Sequence, residues 1–358
     1  MNAVDKILII QQQTQTRRIV WQQKYKDWII SRIPDNFKDI TKEQLDILSN
    51  RNYSFPTSLE SELHYPFFAD SMKEIYKYRT LGYPIELNTD KLSMPTLGTA
   101  ELNTINAHAD SNLNLIVFSR SLPFFVGRIS TIIAELATVK QNNEYLIKPS
   151  VLTKEYLLEK IRADILLRKS FLEIMCSYLI TRDCLVKPKY KNSTFEISEW
   201  ASKISKIVML FITAHEYTHL VFGDTESTFE TEERADFFGT MLSAIAINKS
   251  EELESRDFYW AIGVSAKILD ILQKADYYML GKDNCSHPSN RCSMVKSTLS
   301  KMECGGFTSA MIDASHLMLE ILWVAHKENI KALLEMYSDN TLSLFDDVSR
   351  FIWDFPFR

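Results

Sequence analysis

The chain has 358 residues, 46% of them hydrophobic and 24% charged, with a formal net charge of −5. That length supplies a sizeable core for one large domain or two modest ones, and the composition is that of an ordinary globular protein. The negative charge argues against nucleic-acid binding as the main business, and a mere 9 glycines argue against a turn-rich β architecture.

The opening "MNAVDKILIIQQQTQTRR" has a short apolar run, Ile7 to Ile10, followed by glutamines rather than a small-residue cleavage site. It does not fit a secretory signal. Turn signals stand at Pro34-Asp35-Asn36 and Pro56-Thr57, and a helix is expected through 59–80, kinked or broken near Pro66. Residues 1–92 are expected to form a mixed N-terminal subdomain. Within 94–126, small and polar residues lead into Leu115-Ile116-Val117-Phe118, a β-branched and aromatic run that reads as a strand. Beyond it the pattern is helical, over 124–139, 153–180, 197–222, 230–247, 256–280 and 310–337. Ser193-Thr194 and Asp224-Thr225 supply capping residues near two of the starts. The expected fold is mainly α, of the α+β type, with a small sheet bearing an edge strand. Residues 93–305 would form the central domain with a helical insertion at 140–195, and 306–358 a C-terminal helical extension. The aromatic tail "LFDDVSRFIWDFPFR" is read as packing onto the core.

No run is long enough to cross a membrane. The nearest, 207–222, is interrupted by His215, Glu216 and His219. Five cysteines without a CxxC pair, in a chain without an export signal, fit reduced thiols and a cytoplasmic location.

The stretch "SKISKIVMLFITAHEYTHLVF" is apolar nearly all round, so its helix should be central and buried. Burying two histidines and a glutamate there costs several kcal/mol unless they are paired or bind a metal. Residues four apart lie on one helix face, so His215 and His219 can offer two imidazole nitrogens to one ion, with Glu216 beside them to hold a water. A catalytic zinc needs a third protein ligand and an open fourth position. Downstream, "ESTFETEERADFFGTML" offers Glu226, Glu230, Glu232 and Glu233. Glu232 is preferred. On a helix it shares a face with Ala235, Asp236 and Gly239, whose small members allow close approach to the histidine helix. Asp236, one turn on, can then accept the N–H of a ligand histidine, fixing its tautomer. The competing view of this segment is a solvated acidic helix start, favoured by the helix dipole.

His-Glu-x-x-His followed by Glu-x-x-Ala-Asp resembles the gluzincin metallopeptidases, and the resemblance implies His215, His219 and Glu232 as ligands of Zn2+. Two further segments are similar to the HtpX heat-shock and CAAX-prenyl type peptidases: Asn106-Ala107-His108-Ala109 with the strand at 115–118, and His287-Pro288 with Arg291. Ser121 stands where those families carry glycine, the His287-to-Arg291 spacing is shorter, and their transmembrane helices are absent. Soluble relatives of the arrangement include the ImmA-type proteases and the Lit phage-exclusion peptidases, and this chain resembles the Lit type more than the membrane types.

The expected activity is therefore zinc-dependent hydrolysis of a peptide bond in a specific protein or peptide substrate, as in phage exclusion or another regulated response. Glu216 is the expected general base. His287 is either the second donor to the oxyanion or a surface loop histidine. Arg291 positions His287, binds substrate or is simply solvated. Strand 113–118 is either an edge that pairs with extended substrate or an ordinary sheet member. An activating partner would restrain such an enzyme; neither nucleic acid nor membrane is expected as a partner. The alternative is a non-enzymatic helical scaffold with a structural or vestigial metal site.

Overall fold

The computed structural model describes residues 1–16, 53–62, 64–83, 93–102, 107–141, 144–181, 194–249, 258–279, 288–302, 305–338 and 352. The chain is mainly helical, with a small mixed sheet and a separate hairpin.

Helix α1 (Ala3–Gln13) opens on a capping box: Asn2 accepts from the Asp5 N–H at 2.8 Å, and the Asp5 side chain accepts from the Asn2 N–H. Its Ile7 lies on strand β1 (Thr96–Ala100). A Cβ at Gly98 would come within 2.8 Å of Ile7, so glycine sets that approach. Side chains cover the outer edge of β1. Thr99 donates its N–H to Glu60 at 3.1 Å, its carbonyl accepts from Gln11 Nε2 at 2.8 Å, and the Glu101 N–H donates to Thr16 Oγ1 at 2.9 Å.

The other edge of β1 pairs in parallel with β3 (Leu115–Ser119), which in turn pairs antiparallel with β2 (Ala107–Asp110). The strand expected at 113–118 is thus the central one, not an edge. Its unbroken apolar run is the pattern of a strand covered on both faces, and every residue of β3 is buried. Among the described residues, β2 is the open side of the sheet, and it packs beside the long helix described next.

Helix α2 (Tyr65–Lys77) carries Pro66 in its first turn, where the missing N–H breaks no bond. Pro66 therefore starts this helix rather than kinking it. Helix α3 (Leu122–Ala137) follows the sheet. The expected helical insertion opens with a hairpin, β4 (Thr138–Gln141) and β5 (Glu144–Ile147). The single helix expected over 153–180 is two, α4 (Lys154–Ala163) and α5 (Ile165–Thr181). They part at Asp164, whose side chain accepts from the N–H groups of Leu166 and Leu167 at 3.1 and 3.0 Å and so starts the second helix afresh.

Helix α6 (Phe195–Phe222) runs 28 residues without glycine or proline, capped at Thr194, and stops at Gly223 in the left-handed region, φ 74°. It packs against α2, α3, α7 (Phe229–Lys249) and α8 (Trp260–Met279). Helices α9 (Pro288–Lys301) and α10 (Gly305–Ser338) complete the described elements. One apolar cluster extends from Tyr65 through α6 to Leu334 and Ile352. No described helix is long and apolar enough to cross a membrane.

Candidate metal centre

The last turns of α6 are buried, and two of their polar residues are satisfied within the helix. Thr213 and Thr218 donate to the carbonyls of Met209 and Ala214, each at 2.8 Å. His215, Glu216 and His219 have no such outlet and need partners from elsewhere. Helix α7 supplies them because it comes very close. Ala235 is fully buried, and a Cβ on Gly239 would stand 3.1 Å from the His215 N and Cα. The small face expected at 235 and 239 is the contact face.

At that crossing His215, His219 and Glu232 converge, with a ligand atom from each within 4.8 Å of the others. The two Nε2 atoms are 3.2 Å apart. Glu232 Oε2 is 3.3 Å from His215 Nε2, and Oε1 is 3.7 Å from His219 Nε2. Each imidazole nitrogen thus faces a different oxygen of the same carboxylate, and two nitrogens and a carboxylate this close form a group that could hold a divalent ion.

Each imidazole has a carboxylate at its far nitrogen. Asp236 Oδ1 lies 2.9 Å from His215 Nδ1, close as an ion pair though short of hydrogen-bond alignment. Asp224 Oδ2 lies 2.9 Å from His219 Nδ1. The first was expected. The second differs from expectation: by sequence Asp224 is a capping residue near a helix start, but α7 is capped by Thr228, which accepts from the Thr231 N–H at 3.3 Å. The available signal was Gly223, which ends the helix one turn past His219 and turns the chain back beside it.

Arg291 of α9 is also built into the site rather than solvated. It donates to Glu232 Oε2 at 2.8 Å and lies 2.9 Å from Asp236 Oδ2. Ser227 donates to the other Glu232 oxygen at 2.7 Å. Glu216 is buried and makes no hydrogen bond among the described residues, though its charge acts on Arg291. Burial would lower the pKa of His215, but Asp236 and Glu232 outweigh it and hold it up to about 10. Burial would raise Glu232, but contact with His215 outweighs it and holds the carboxyl well below its usual range. Arg291 is likewise raised: Asp236 and Glu232 overcome the cost of its burial.

The other candidates lie elsewhere. Glu230 and Glu233 line a separate groove between α7 and α9. Glu226 is exposed in the turn before α7. His108 is exposed on β2, buried His64 meets Ser61 Oγ at 2.6 Å, and His316 Nε2 meets the Gly263 carbonyl at 2.8 Å. Burial lowers His64 to about 3 and His326 to about 4. His287 lies outside the described residues. The thiol of Cys292 is free and pushed up by burial to about 12.

No protein-family model matches the chain, and no curated protein or solved structure matches it.

The site must therefore be read on its own chemistry. Around the two histidines stand four carboxylates (Glu216, Asp224, Glu232, Asp236) and two guanidiniums (Arg234, which pairs with Asp224, and Arg291). With neutral imidazoles this group carries a net charge of −2, a surplus that a divalent cation would cancel. The residues present fit such an ion: two nitrogens and a carboxylate at the right spacing, with both histidines braced from behind.

Proposed function

We propose that this chain is a zinc-dependent endopeptidase acting on a specific protein substrate. The observation that carries the reading is the joint one of two imidazole nitrogens and a carboxylate drawn within ligand reach of one another and, with neutral imidazoles, a charge surplus of −2 around them. His215, His219 and Glu232 would hold the ion, and nitrogen and carboxylate donors in that number suit zinc. Bound there, zinc would supply a polarised carbonyl and a water of lowered pKa. Glu216 takes the proton from the attacking water and delivers it to the leaving amine nitrogen. Among the described residues no donor holds its lone pairs in another role, which suits that duty. Asp236 and Arg291 keep His215 and Glu232 aimed at the ion. In this reading His287 is the second donor to the oxyanion. The open edge of β2, beside α6, takes the substrate backbone in extended form.

A structural metal site would call for a fourth protein ligand. The described residues offer three, which favours catalysis over the scaffold reading. The test is elemental analysis of the purified chain together with Glu216→Gln. About one zinc per chain, retained in the variant while peptide cleavage disappears, is the expected result. Zinc absent even after metal is added back to the folded protein would end the proposal.

A further inference from the structure

Asp224 has more partners than a helix stop requires. Gly223, with φ 74°, and the bond from the Asp224 N–H to the His219 carbonyl at 2.9 Å are enough to end α6. The side chain is a separate commitment, and it is 7% exposed. Oδ2 meets His219 Nδ1 at 2.9 Å, and Oδ1 accepts from Arg234 of α7. Arg234 in turn lies over the Phe222 ring, 4.6 Å from its centre. The Asp224 carbonyl accepts from Ser111 Oγ at 3.0 Å, in the turn joining β2 to β3. Every polar group of Asp224 is thus occupied, and its partners come from three different elements.

We propose that Asp224 is a positioning residue for His219, and that Arg234 and Ser111 are its supports. One carboxylate then sets a metal ligand, helix α7 and the turn of the open strand β2 relative to one another. With the Nδ1 proton donated to Asp224, Nε2 keeps its lone pair and faces His215 and Glu232. Arg234 makes the buried carboxylate tolerable, and Ser111 ties the strand turn to the same residue. The purpose of the arrangement rests on the metal reading; its geometry does not.

Two measurements test it. In metal-free protein carrying 15N-histidine, the His219 ring should show the Nδ1–H tautomer, and Asp224→Ala should abolish that preference. Zinc affinity, measured by competition with a chromophoric chelator, should fall about 10- to 100-fold in Asp224→Ala. Asp224→Asn should lose less, because its amide oxygen can still accept the proton. Ser111→Ala and Arg234→Gln should weaken binding in the same direction by smaller factors. If Asp224→Ala does not fold, Asp224→Leu, which keeps the bulk but cannot accept the proton, decides both readouts. An unchanged tautomer, or zinc affinity within about twofold of wild type, overturns the proposal. Should wild type and His219→Ala both bind no zinc, the metal reading fails by itself, and the tautomer measurement still decides for or against Asp224.

Discussion

Between α8 and α10, Lys267 and Lys274 meet Asp270 and Glu320; at the crossing of α6, α7 and α9, four carboxylates meet two guanidiniums. The first group closes on itself. Lys267 Nζ lies 2.7 Å from Asp270 and 2.5 Å from Glu320, and Lys274 Nζ lies 3.2 and 3.0 Å from the same pair. Two cations balance two anions, and Lys267 is raised because those carboxylates overcome its burial. The second group contains two histidines and, with both imidazoles neutral as metal ligation requires, carries a surplus of two negative charges. The contrast shows how a buried ionic cluster can be sorted before its function is known. A balanced set needs nothing further, whereas an unbalanced set holding nitrogen donors at ligand spacing calls for a cation.

The sharpest way to break the contrast is Glu216→Gln. Peptide hydrolysis should fall by about 10²–10⁴-fold, the usual share of a general base, with zinc content unchanged. Activity close to wild type in a single-turnover assay would remove Glu216 from the mechanism. Lys267→Met attacks the balanced cluster. It leaves buried Asp270 with Lys274 as its remaining cation and should lower stability in urea unfolding by less than the roughly 3–5 kcal/mol of a fully unpaired buried charge. Zinc stoichiometry should not move, and its loss would show that the two clusters are one.

Gly239→Ala tests the seam between α6 and α7. The new Cβ meets His215 backbone at 3.1 Å, with no flexible side chain to yield, so overpacking of about 1–3 kcal/mol is expected together with weaker zinc binding. A destabilised variant with unaltered zinc affinity would mean that the ligands tolerate a wider crossing.

The last prediction concerns pH. His215 is raised to about 10, so in metal-free protein its ion pairs stabilise the fold fully below the unfolded histidine value and are lost as pH rises through about 10. A metal must displace that proton. Affinity should therefore climb about tenfold per pH unit through neutrality and level off near pH 10. Calorimetry in buffers of different ionisation heat should show proton release at pH 7, and zero release would contradict a protonated His215.

Much of the site was legible because helical spacing is a local rule. His215, His219, Glu232, Ala235, Asp236 and Gly239 each follow from residues four apart on one face and from small side chains where helices meet. What escaped depended on a change of direction or on distant packing. Asp224 reaches His219 only because Gly223 turns the chain back, and Arg291 reaches Glu232 only because α9 lies against α7. The fold behaved alike. The long apolar helices were evident from periodicity, while α1, α9, the outer strands and the hairpin were not. Short strands carry little periodic signal, and the central position of β3 depends on β1 and β2, which pair with it from both sides. Asp164 shows the same limit within a helical stretch: the apolar pattern runs on past it, but its side chain bonds begin a new helix.

The side chains laid along β1 have a consequence for how copies of this chain can meet. Gln11, Glu60 and Thr16 occupy the outward N–H and C=O of Thr99 and the N–H of Glu101, which another strand would need there, so among the described strands the sheet is open to recruit through β2. A sheet with a single recruiting side cannot act as a link in a chain. Two molecules joined strand to strand through β2 would use up both of their open sides at once, and the assembly would stop at a closed pair instead of lengthening into a fibre.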